Sequence, residues 1–174
     1  KYKIFTAILQ KWLASKIDPY LQKTQYGFRK EKSTAHAIHI IRRIMDVGYR
    51  AGQQLTMVLL DWEKALDKVK HDKFHEALER MNIHPKIRNL IKELYKNPKF
   101  KIEIEGTESN WKKQQSGIRQ GCPLSPYLFL IIMTVMFHDI HKDEDLEEDL
   151  EEDKILGTIF DEILYADDTI IYSR

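Results

Sequence analysis

Residues 162–173 read Glu-Ile-Leu-Tyr-Ala-Asp-Asp-Thr-Ile-Ile-Tyr-Ser. Two short β-rich runs flank Ala166-Asp167-Asp168, which is the pattern of a hairpin. A second apolar run, Leu55 to Leu60 (LTMVLL), follows the turn signal Ala51-Gly52 and ends directly on Asp61; its length and composition predict a buried strand. Asp61, Asp167 and Asp168 therefore stand at strand ends, where packing alone would not put them. Adjacent carboxylates repel and are costly to bury unless a cation holds them. Hard Mg²⁺ prefers oxygen ligands. Two such ions about 3.5–4 Å apart can activate an attacking hydroxyl and stabilise a leaving oxygen in phosphoryl transfer. From Asp167 and Asp168 alone an acidic turn is an equally open reading, because Asp is common in turns.

Working outward, the chain is mixed α and β. Tyr2 to Ile17 carries Ile4, Phe5, Ile8, Leu9, Trp12 and Leu13 at helical spacing. Ser33 or Thr34 can cap a helix reaching about Tyr49. Asp72 is placed to cap a helix to about Met81, and Pro85 suits the first turn of another ending near Asn97. Phe100 to Glu105 (FKIEIE) alternates like a half-buried strand, and Ser125-Pro126 opens an apolar helix through about Ile140. This gives an α+β class with a segment of N-terminal helices over 1–54 and a sheet-bearing segment over 55–174.

The composition narrows the function classes. At 174 residues the chain can bury a real core. One cysteine, Cys122, excludes a disulfide framework and a multi-cysteine zinc site; it is read as packed rather than reactive. His71/His75 and His138/His141 have helical spacing but lack the companions of any zinc pattern. The longest apolar run, Tyr127 to Phe137, is too short for a membrane span, so no membrane is implied. Net charge is +1, yet Asp143 to Asp153 alone holds nine of the 27 acids. The rest carries 28 bases against 18 acids, a balance that suits a polyanion such as nucleic acid or a lysine-rich solvated surface. The acidic run 143–153 predicts an exposed insertion, since a block of like charges repels itself. The chain starts at Lys1 rather than Met and stops at Arg174, straight after a strand-like run, as a piece of a longer protein would.

Four stretches together resemble the reverse transcriptases of non-LTR retrotransposons, with group II intron maturases as more distant relatives. Gln25-Tyr26-Gly27-Phe28-Arg29 followed by Lys32-Ser33-Thr34 is similar to the fingers motif, and Leu59 to Val69 (LLDWEKALDKV) to the first palm motif. Ser116 to Pro126 (SGIRQGCPLSP) is similar to the nucleotide-pocket loop, and Tyr165-Ala166-Asp167-Asp168 to the second catalytic motif. The four occur in the family's order over nearly the whole chain.

That resemblance implies a right-hand polymerase fingers–palm fragment without its thumb, its antiparallel palm sheet packed with helices on one face. It implies RNA-directed DNA synthesis from dNTPs on an RNA template with a DNA or RNA primer. Asp61 and Asp167 would ligate two Mg²⁺ ions, with Mn²⁺ able to substitute, Asp168 would stand beside them, and the Trp62 carbonyl would complete one shell. Gln120 and Gly121 would line the nucleotide pocket. Arg29, Lys30 and Lys32 would meet the triphosphate or template, with Arg42, Arg43 and Gly117 as further nucleic-acid contacts. Asp67 would play a supporting structural role. Leu66 departs from the family, which usually has Phe there as a wall against the sugar 2′ position, so weaker discrimination against ribonucleotides is expected. A nuclear or cytoplasmic setting follows, the nuclear one from the resemblance alone; oligomeric state is left open. Two other readings remain: a non-catalytic nucleic-acid-binding module, and a remnant of a decayed element.

Overall fold

The computed structural model describes residues 1–144 and 162–173. Helix α1 (Tyr2–Ile17) is followed by a 3₁₀ turn at Asp18–Tyr20, helix α2 (Thr34–Ala51) and strand β1 (Thr56–Leu60). Three helices come next: α3 (Ala65–Lys68), α4 (His71–Arg80) and α5 (Pro85–Leu94). Four two-residue strands then appear, β2 (Lys99–Phe100), β3 (Glu103–Ile104), β4 (Thr107–Glu108) and β5 (Lys112–Lys113). Helix α6 (Ser125–Glu144) and strands β6 (Glu162–Tyr165) and β7 (Asp168–Ser173) complete the order. The acidic run enters α6 at Asp143 and Glu144, and the remainder of the 143–153 insertion lies outside the described residues.

The chain forms two compact units that are each discontinuous in sequence. One comprises residues 1–13 and 64–132, the other 14–63 and 133–174. The second unit holds the three-stranded antiparallel sheet, ordered β1-β7-β6. Pairing of β1 with β7 runs from Thr56↔Ser173 to Leu60↔Thr169, and β6 pairs with β7 from Glu162↔Ile171 to Tyr165↔Asp168.

Helix α2 is legible in its ends and its face. Ser33 Oγ accepts from His36 N as the N-cap, and Gly52 closes the helix at φ +66°, the left-handed C-terminal position that glycine occupies cheaply. Ala37, Ile41, Ile44 and Val47 recur at helical spacing and pack with Ile163, Ile170 and Tyr172 of the sheet. Alternation along β6 points Glu162 to the opposite face. There its carboxylate meets His141 of α6 at 3.0 Å, so a helix stands on the second face as well as the first.

Three expectations need correction. The run LTMVLL is a strand, but an edge strand rather than a buried one: Leu59 is 75% and Val58 48% exposed. An apolar run marks strand propensity and cannot say whether both of its neighbours will be present. Phe100 to Glu105 is not one half-buried strand. It divides between two separate ribbons whose paired residues are all exposed. Asp72 lies inside the first turn of α4, where Lys70 occupies the cap position without a side-chain bond.

In the other unit, α4 and α5 meet through buried Phe74, Leu78, Ile91 and Tyr95, with the Phe74 and Tyr95 rings edge to face at 4.8 Å. No helix among the described residues is long and apolar enough to cross a membrane.

Candidate active site

The acids gather at one end of the three-stranded sheet because of its register. Leu60, the last residue of β1, is paired with Thr169, so Asp61 leaves the sheet at the end where β7 begins with Asp168. Neighbouring strands are about 4.8 Å apart. Asp167 sits between Ala166 and Asp168 in the tight turn joining β6 to β7. Trp62 ties the two sides together, its indole N–H donating to Thr169 Oγ1 at 3.0 Å. Asp61 and Asp168 are exposed and Asp167 is half-buried. Asp168 also rims a pocket of about 160 Å³ walled by Ala37, Ile41, Ile163 and Ile170.

No lysine or arginine pairs with any of these three carboxylates among the described residues. Like charges left together without a protein cation fit a hard divalent ion. Among the described residues no three His, Cys, Asp or Glu groups, these acids included, stand together closely enough to hold a metal ion by themselves.

The turn bearing Asp167 is held from outside the hairpin. Ala166 has φ +58°, a left-handed conformation that costs any residue with a Cβ. Gln25 is 1% exposed. Its Oε1 accepts from Ala166 N at 2.9 Å and from Gly27 N at 2.7 Å, and its Nε2 donates to Ala166 O at 3.1 Å. The backbone of this segment joins the edge of β6: Gln25 bridges Leu164 in parallel, Tyr26 N donates to Leu164 O, and Leu164 N donates to Thr24 O. Gly27 makes the approach feasible, since a Cβ there would lie 2.2 Å from Ala166 N.

Several basic candidates have partners within the protein. Arg29 grips Asp18 through Nε and Nη2, both at 3.0 Å, and also bonds the carbonyls of Asp18 and Gln22. Its side chain is only 8% exposed; in this structure Arg29 braces the loop. Lys32 donates to Lys23 O and lies 4.6 Å from the centre of the Tyr26 ring. Burial, helped by the nearby Arg29 charge, lowers its ammonium pKa. Lys30 is exposed beside Glu31, Arg43 pairs with Asp46, and Arg42 is exposed on α2.

The remaining named residues, Leu66, Gly117, Gln120 and Gly121, belong to the other unit. There the loop 114–121 is fastened to α3 and its neighbours. Gln120 Nε2 donates to Asp67 Oδ1 at 3.0 Å, Ile118 N to Leu66 O, and Gly117 N to Val69 O. His71 Nε2 stands 2.9 Å from Gly117 O. The close approach Gly117 makes is to Asp67, whose carbonyl oxygen would lie 2.8 Å from an added Cβ. Gly121 is exposed at φ +72°. Cys122 is buried, as expected of a packed thiol.

Sequence reasoning missed Gln25, His71 and the Glu162 cluster. Glu162 Oε1 accepts from Gln22 Nε2 at 2.6 Å and Thr24 Oγ1 at 3.0 Å, opposite His141 on Oε2. Polar residues that bond across 21 to 141 positions leave no local pattern. The one available signal was that Gln25 belongs to the same short motif as Gly27 and Arg29.

The reverse transcriptase (RNA-dependent DNA polymerase) family model matches residues 1–174. The chain belongs to the reverse transcriptase family. Curated relatives of this reverse transcriptase segment come from non-LTR elements. It is 32% identical over 120 residues to the Pol polyprotein of the type-1 retrotransposable element R2 of Nasonia vitripennis, covering 69% of this chain and 11% of that protein. It is 25% identical over 168 residues to the RNA-directed DNA polymerase of the mobile element jockey of Drosophila melanogaster, covering 96% and 17%. The segment thus spans under a fifth of the length of these relatives. In fold it is similar to apo telomerase from Candida tropicalis, with a TM-score of 0.67, 15% identity, and coverage of 99% of this chain and 34% of that one. Telomerase of Candida albicans gives 0.63 at 14% identity, covering 97% and 30%. These likenesses establish a polymerase fingers–palm fold.

Proposed function

We propose that this segment carries the nucleotidyl-transfer site of an RNA-directed DNA polymerase of a non-LTR retroelement. The observation that supports it most is the register that pairs Leu60 with Thr169 and Tyr165 with Asp168, so that Asp61, Asp167 and Asp168 lie at the same end of the sheet, with no Lys or Arg paired to them among the described residues. Asp61 and Asp167 would hold two Mg²⁺ ions, with Asp168 alongside and the Trp62 carbonyl as a further ligand. The ions supply charge neutralisation and activation of a primer 3′-hydroxyl when bound.

The chain's own part is positioning. The sheet fixes the separation of β1 and β7, and the Trp62–Thr169 bond fixes the exit of β1; within its own unit, Gln120 is held by Asp67 and would be the residue to meet a nucleotide. Positioning and charge stabilisation account for most of the catalysis of phosphoryl transfer. Lys30 and Arg42, exposed and basic, suit a triphosphate or template backbone. The substrates would be dNTPs and an RNA template with its primer, in a nuclear or cytoplasmic setting.

Primer extension on RNA with Mg²⁺ and dNTPs tests this reading, with Asp61→Asn and Asp167→Asn as controls. Extension that vanishes in both variants supports it. Extension that survives either one overturns the assignment of that acid. Salt-dependent duplex binding without any extension would favour a nucleic-acid-binding module.

A further inference from the structure

The two carboxylates at the tip of the hairpin sit at a tight turn whose first residue has an unfavourable backbone angle. Tyr165 pairs with Asp168, which leaves a two-residue connection of Ala166 and Asp167. Two-residue hairpin turns need φ > 0 at their first central position, which glycine or asparagine usually fills. Here the residue is alanine, at φ +58°. The residue as a whole is also only 7% exposed, which shelters its backbone groups from water.

Both needs are met by one side chain. The Gln25 carboxamide accepts from Ala166 N and donates to Ala166 O, the pair of bonds that a neighbouring strand would have offered. It is held rigid by its third bond, to Gly27 N, and by the parallel bridge of its own backbone to Leu164. Only an uncharged amide of this length satisfies the arrangement. Glutamate would set an oxygen against the Ala166 carbonyl, asparagine is one methylene short, and methionine has no donor.

We propose that Gln25 is the positioning residue of the acidic turn: by holding Ala166 in its left-handed conformation it aims Asp167 and Asp168 toward Asp61. The inference rests on the reading that these acids bind divalent ions, and it deepens that reading. Gln25 itself touches neither metal nor substrate. Its effect passes through the φ angle of one residue, which makes it separable from a general contribution to folding.

The test uses the full chain, with Mn²⁺ as a paramagnetic probe and amide hydrogen exchange as a readout that needs no metal. In Gln25→Asn and Gln25→Met, exchange at Ala166 and Asp168 rises at least tenfold and Mn²⁺ binds at least tenfold more weakly, while protection in α2 is retained. Adding Ala166→Gly to Gln25→Asn brings Mn²⁺ affinity back at least threefold, because glycine adopts the left-handed angle without a clamp. A glutamine that merely stabilised the fold would show no such recovery. A folded Gln25→Asn whose Ala166 protection and Mn²⁺ affinity stay within twofold of the parent overturns the proposal. If both Gln25 variants unfold, exchange in the parent decides. Ala166 must then be protected as well as Leu164, and a freely exchanging Ala166 amide overturns the clamp. Asp61→Asn and Asp167→Asn report on the metal reading separately: Mn²⁺ binding unchanged in both would refute that reading, while the exchange result would still judge Gln25.

Discussion

Replacing Gly27 by alanine asks whether the seam between residues 24–27 and the 164–166 strand and turn is as close as the structure has it. The added Cβ would lie 2.2 Å from Ala166 N and 2.9 Å from Ala166 Cα, both backbone atoms. Reaching an ordinary contact of 3.4 Å requires a retreat of about 1.2 Å. Four hydrogen bonds cross this seam, at 2.8, 3.0, 2.9 and 3.1 Å, and a shift of that size would take each to about 4 Å, beyond bonding range. At about 1 kcal/mol net per bond, and allowing part of the shift to be absorbed elsewhere, the expected loss is about 3 kcal/mol. Gly48→Ala is the matched control. An added Cβ there meets Leu55 Cβ at 3.7 Å, an ordinary contact, inside helix α2, where alanine gains about 0.5–1 kcal/mol over glycine. Urea unfolding reads both: with a slope of about 2 kcal/mol/M, Gly27→Ala lowers the midpoint by about 1.5 M while Gly48→Ala raises it. A Gly27→Ala loss under about 1 kcal/mol, or a shift of the same sign in both variants, would refute the close seam.

Arg29→Lys removes the two-pronged grip on Asp18 and should cost about 2 kcal/mol, the scale of breaking a sheltered charge pair with a fork geometry; a double-mutant cycle with Asp18→Asn showing coupling below about 0.5 kcal/mol would contradict it. Leu66→Phe should raise selectivity for dNTPs over rNTPs about tenfold, the scale on which pocket bulk acts, and an unchanged ratio in primer extension would remove the sugar-wall assignment. The Tyr2 hydroxyl is pushed up to about 12, first by burial and then by its bond to Cys122. Its folded value exceeds the unfolded value of 10.0, so its stabilisation is whole below pH 10 and is lost as pH rises through about 12. An ultraviolet titration in which Tyr2→Phe removes no late-ionising tyrosine would disprove this.

Much of the framework is local and therefore legible. Helix α1 spans Tyr2–Ile17 as its periodicity predicts, Ser33 caps α2, and the strands around Ala166-Asp167 form the hairpin. Each depends on residues within a turn or two of one another. The three acids are legible for a related reason: carboxylates at strand ends are conspicuous against the apolar runs beside them.

Other features depend on partners distant in the chain, and only the tertiary structure decided them. Periodicity placed Leu9 and Trp12 on one helix but could not tell that Leu9 would be buried and Trp12 exposed. The run LTMVLL carries the same propensity at an edge as at a centre, and β1 is at the edge because, among the described residues, it pairs with β7 alone. A guanidinium binds carboxylate and phosphate with the same fork, and only the fold shows that Asp18 is brought to Arg29. Gln25 is the clearest case. A glutamine has no periodicity and no charge to betray it, and its role exists only once folding closes the 141 positions between it and Ala166. Local sequence thus determined which strands and helices form and where the acids stand on them. Long-range packing determined how the turn beneath those acids is held.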